Sequence, residues 1–209
     1  MSGEIFAISC RRFLSATIFD QPRAVVETAV GRCLEHIAPG RFSSRTAPIN
    51  LKYIYEVEPE AGGAHLKHLL LFSPESNPDN TVLVCDLADG WASLSFLLAR
   101  ELKGFQIRVL STQDGVKYPQ NLFEVWRLGE SIRFVMAMRD SDKWQFFERG
   151  AVQPFEDVAL YKESLKKNRL SRSILKRYLE RIGWDIAQKI FWQSKELAVY
   201  FTENETGPL

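Results

Sequence analysis

The stretch Gln120-Asn-Leu-Phe-Glu-Val-Trp-Arg-Leu-Gly-Glu-Ser-Ile-Arg-Phe-Val-Met-Ala-Met-Arg-Asp-Ser-Asp-Lys-Trp-Gln-Phe-Phe-Glu-Arg-Gly150 decides the fold. It holds three runs rich in aromatic and β-branched residues, Leu122–Leu128, Ile132–Arg139 and Trp144–Glu148, separated by turn residues at Gly129-Glu130 and Asp140-Ser-Asp142. Runs of that length and composition, bounded in that way, are strands joined as hairpins. The spacing therefore predicts an antiparallel meander. Phe105 to Leu110 alternates Phe105, Ile107 and Val109 inward and adds a strand before it, with Asp114-Gly115 as the turn.

Working toward the N-terminus, Trp91 to Lys103 reads as a helix with Leu94, Leu97, Leu98 and Leu102 inward, and Gly104 falls where helices stop. Thr81 to Cys85 is a continuous apolar run, a buried strand that Asp86 to Gly90 breaks. Leu51 to Val57 and Leu66 to Phe72 read as a hairpin around the Pro59–Gly63 turn, and 41–48 as a polar loop. Val26, Ala29, Val30, Cys33, Leu34 and Ile37 recur at helical spacing. Asp20 is placed to cap that helix, Pro22 suits its first turn, and Pro39-Gly40 stops it. One or two strands fill 4–19.

Beyond Gly150 the pattern becomes helical. Phe155 to Leu165 reads as a helix, and Leu170, Ile174, Leu175, Tyr178, Leu179 and Ile182 form one apolar stripe of a second. Ile186 to Trp192 is a short helix and Leu197 to Phe201 a closing strand. The expectation is an α+β domain over 1–209, a mainly antiparallel sheet with helices packed on it. A subdivision near 150 would part the sheet-rich 1–150 from the helix-rich 151–209.

Composition is that of an ordinary globular protein: 45% hydrophobic, 25% charged and a net charge of +1. Such a chain buries a sizeable core without disulfides or metals, so no cofactor or metal is expected. Cys10, Cys33 and Cys85 form no C-x-x-C pair and read as reduced, buried thiols. No apolar run reaches the roughly 18 residues of a membrane span, and Arg11 and Arg12 interrupt the apolar N-terminal stretch. The elimination points to the cytoplasm. The charge is split unevenly: residues 1–161 carry net −3 and residues 162–209 net +4. Between Lys162 and Arg181, eight basic residues face only Glu163 and Glu180.

Candidate chemistry is sparse. Asp86 and Asp89 sit at a strand-to-helix junction where α/β enzymes keep catalytic groups, yet no Gly-rich phosphate loop follows, and Asp89 reads as a helix cap. His65 and His68 would share a face only on a helix, and their surroundings read as strand. His36 lies where a cation complements a helix dipole. Cys85 has no G-x-S-x-G-type elbow or histidine base to make it a nucleophile. Arg169, Arg172, Lys176 and Arg177 would contact phosphates if the basic helix lay along a nucleic acid. The bland alternative is a solvated face.

Asp142-Lys-Trp-Gln-Phe-Phe-Glu-Arg-Gly150 followed by Pro154-Phe-Glu156 resembles a pattern in small bacterial immunity proteins encoded beside secreted toxins. There an aromatic strand W-x-F-F-E-x-G runs into a P-F-E helix start. The resemblance spans about a tenth of the chain. It implies an immunity- or antitoxin-type inhibitor that binds a cognate toxin domain and occludes it, without chemistry of its own. A nucleic-acid binder using 162–181 and an enzyme of unrecognised type rank below it. The acidic groups at two turns, Glu56, Glu58 and Glu60 with Asp140 and Asp142 beside Trp144, are the expected partner-binding residues, because an acidic face steers a basic partner.

Overall fold

Residues 13–51, 67–86, 91–112 and 116–204 are described in the computed structural model of the chain. The expected meander is there: β5 (Gln106–Thr112), β6 (Gln120–Arg127), β7 (Glu130–Asp140) and β8 (Lys143–Gly150) run antiparallel, each bonded to the next. β1 (Phe13–Phe19), β2 (Phe42–Ala47), β3 (His68–Phe72), β4 (Thr81–Cys85) and β9 (Ala198–Glu203) complete a nine-stranded antiparallel sheet in the order β2-β9-β3-β4-β1-β5-β6-β7-β8. The architecture is α+β, with helices on both faces.

Alternation sorts the core into two layers. Ala16, Ile18, Leu70, Phe72, Val109, Phe123, Val135 and their neighbours point to one face and meet the C-terminal segment, chiefly Phe155, Leu175, Tyr178, Leu179 and Phe191. Phe19, Leu69, Leu71, Leu83, Val199 and Phe201 point to the other. There they meet α1 (Arg23–Ile37) through Val26, Val30 and Leu34, and α2 (Ala92–Leu102) through Leu94 and Leu98. The C-terminal segment holds a one-turn helix α3 (Lys166–Arg169), the amphipathic α4 (Arg172–Arg181) and two 3-10 turns, Leu160–Lys162 and Lys189–Trp192. Ser171 caps α4, its Oγ accepting the Ile174 N–H at 3.4 Å.

Several expectations are corrected. The stretch 41–48 is not a loop: Phe42–Ala47 is an edge strand, and its polarity reflects exposure of the four residues from Ser43 to Thr46. Phe155–Leu165 is not a helix. Its N–H groups bond carbonyls three residues back, Leu160 to Asp157, Tyr161 to Val158 and Lys162 to Ala159, so only the 3-10 turn Leu160–Lys162 forms. The helix α1 is not capped by Asp20; extended Pro22 holds the N-cap position, its carbonyl accepting from Val25 and Val26. The left-handed residue ending α2 is Lys103 (φ +54), not Gly104. The expected closing strand is present as β9, between β2 and β3. The Leu51–Val57 strand lies outside the described residues beyond Leu51, and β3 pairs with β4 and β9. No helix of the described residues is long and apolar enough to cross a membrane.

Glu203 ends β9 with its side chain only 4% exposed. Arg41 Nη2 lies 2.7 Å from one oxygen, and Lys67 meets the other through Nζ at 3.0 Å and its backbone N–H at 3.2 Å. Burial alone would push this carboxyl up; the Lys67 bonds and the nearby Arg41 charge outweigh burial and hold it below its ordinary value. A depressed carboxyl stabilises the fold above its unfolded-state pKa, and that contribution is lost as pH falls through the folded value. Glu203→Gln is therefore expected to cost most stability near neutrality. The gap from the parent should close as the medium is acidified through the carboxyl range. Denaturant midpoints measured across that range check this; a gap independent of pH would contradict it.

Candidate functional site

The β7–β8 hairpin carries half of the expected partner-binding residues. Its loop is Ser141-Asp142, with Ser141 at φ +53. Asp140 and Asp142 are exposed at the tip, where Asp140 faces exposed Lys143 across the ladder. Trp144 is not a free anchor: it is half-buried against the main core. Glu56, Glu58 and Glu60 lie outside the described residues.

Trp144, Phe146, Glu148 and Gly150 fall on one face of β8 by strand alternation, and each is used inside the molecule. Phe146 lies between the Tyr161 ring, 5.3 Å away, and the Arg169 guanidinium, 5.4 Å from its centroid. Glu148 and Glu156 converge on Arg133, which sits opposite Gly150 on β7 and is 2% exposed. Arg133 Nε donates to Glu156 Oε1 at 2.9 Å and Oε2 at 3.1 Å, and Nη2 reaches Glu156 Oε2 at 2.8 Å. Nη2 also meets Glu148 Oε2 at 2.7 Å, and Nη1 donates to the Gly150 carbonyl at 3.0 Å. Tyr161 Oη donates to Glu156 Oε2 at 2.6 Å.

This cluster is built to stay charged and still. Burial alone would lower the Arg133 pKa, but the hydrogen bonds it donates to two carboxylates raise it, so the guanidinium keeps its proton. The Tyr161 phenol is pushed up, first by burial and then by the adjoining Glu156. Every guanidinium nitrogen of Arg133 and both oxygens of Glu156 are bonded within the molecule. The cluster fastens the 153–161 segment to the end of β8. On the opposite face a second buried pair, Arg108 Nη2 to Glu124 Oε2 at 3.1 Å with Ser131 Oγ on Oε1 at 2.8 Å, ties β5, β6 and β7.

No family model, curated protein or solved structure matches the chain. Function therefore rests on the geometry itself. Trp144, Phe146, Glu148, Gly150 and Glu156 are engaged in scaffolding, and the side of the hairpin left facing solvent is its tip together with Phe147, 49% exposed, and Arg149.

The other candidates fare differently. Arg172 is no solvated phosphate ligand, because its Nε and Nη2 hold Ser111 Oγ and the Ser111 carbonyl at 3.0 and 3.1 Å. Arg169 bonds the Glu163 carbonyl, while Lys176 is half-buried and Arg177 exposed. Asp86 is fully buried at the end of β4; Asp89 lies outside the described residues, and the N-cap of α2 is Trp91 in a left-handed conformation, not Asp89. His65 and Cys10 lie outside the described residues, and His68 opens β3. Cys33 and Cys85 are buried free thiols. Burial, with Glu101 nearby, pushes the Cys33 thiol up to about 11. Among the described residues no group of three His, Cys, Asp or Glu side chains is arranged to hold a metal. Arg133 escaped the sequence reading; its signal was a lone charge sharing a strand face with Val135 and Ala137.

Proposed function

We propose that the chain is a non-catalytic partner-binding protein of the immunity or antitoxin type, which occludes a cognate toxin domain. The observation that carries this reading is the division of labour in β8. Its inward residues are locked to Arg133 and the core, so the tip and outward residues form a preorganised surface. A surface ordered before binding loses less entropy on association. Asp140 and Asp142 place two exposed carboxylates at its tip beside Lys143, and these are the groups that would meet a basic partner, as toxin domains acting on nucleic acid often are. The resemblance of 142–156 to immunity proteins supports the same reading.

The test is association with the product of the adjacent reading frame. Asp140→Lys with Asp142→Lys is expected to slow the on-rate about 10-fold at low salt and flatten its salt dependence, with the fold intact. An on-rate and affinity equal to the parent's would remove this hairpin from the interface. No binding at all by the parent protein would overturn the immunity reading.

A further inference from the structure

We draw no further inference here: the strongest candidate, the apolar patch on the outer face of β7 and β8 where exposed Phe147 stands beside half-buried Phe134, Met136 and Met138, is edged by charges of both signs, Lys143 and Arg149 with Asp140 and Asp142, and nothing in the structure shows what covers it.

Discussion

Arg133→Met is expected to lower the unfolding free energy by about 3–5 kcal/mol, the usual cost of removing one partner from a buried ion pair. The side chain of Glu156 is fully buried, and its two oxygens would keep only the Tyr161 hydroxyl and the Gln153 N–H. Glu148, 44% exposed, would turn to water at small cost. The charge on Glu156 is thus the destabilising element, and adding Glu156→Gln should recover much of the loss while keeping a hydrogen-bonding amide in place. Urea unfolding of the two single variants and the double gives the coupling. Additive losses would show that the pair is not the fastening described above.

Gly150→Ala is expected to cost about 3 kcal/mol, far more than a surface alanine does. The residue sits at φ +87, and a Cβ there would lie 2.1 Å from the Ile132 carbonyl oxygen and 2.8 Å from its carbon. Both are backbone atoms of the neighbouring strand and cannot swing aside as a side-chain tip can. Relief requires β8 to part from β7 where Ala151 N–H bonds the same Ile132 oxygen at 3.1 Å. The Gly150 carbonyl would move with it, taking one acceptor from Arg133. The thermal midpoint checks the outcome: a variant as stable as the parent would contradict the close approach. Gly31→Ala, in open space on α1, is the control and should be neutral or mildly stabilising.

These two positions show why the W-x-F-F-E-x-G…P-F-E pattern was readable as a unit while its role was not. Period-2 alternation announces which β8 residues share a face, and the meander from 105 to 150 was legible for that reason. Convergence of Glu148 and Glu156 on Arg133 is a fact of register, set by the pairing of Arg133 with Gly150 across β7 and β8. No local spacing encodes it. The same limit explains the misread 155–165 segment. Phe155 and Tyr161 do face the core as a helix would place them, but the backbone N–H groups of 160–163 bond carbonyls three residues back, as in the Leu160–Lys162 3-10 turn, rather than four. β2 hid because an exposed edge strand has no apolar alternation to display. β9 was legible as a strand but not as an interior one, since Ala198 to Phe201 carries no mark of its neighbours. Of the expected partner-binding residues, Asp140 and Asp142 stand exposed on the hairpin tip, whereas Trp144 belongs to the core margin.

The function proposed above has this protein occupy a partner without performing chemistry on it. The most direct measurement is a titration of the chain into a fixed amount of the adjacent reading frame's product, following loss of that product's activity. Occlusion predicts a linear loss ending at one chain per partner molecule, with the partner's mass unchanged and its activity regained on denaturing separation. Complete loss at a small fraction of equivalence, with a mass change in the partner, would mean turnover and would contradict occlusion.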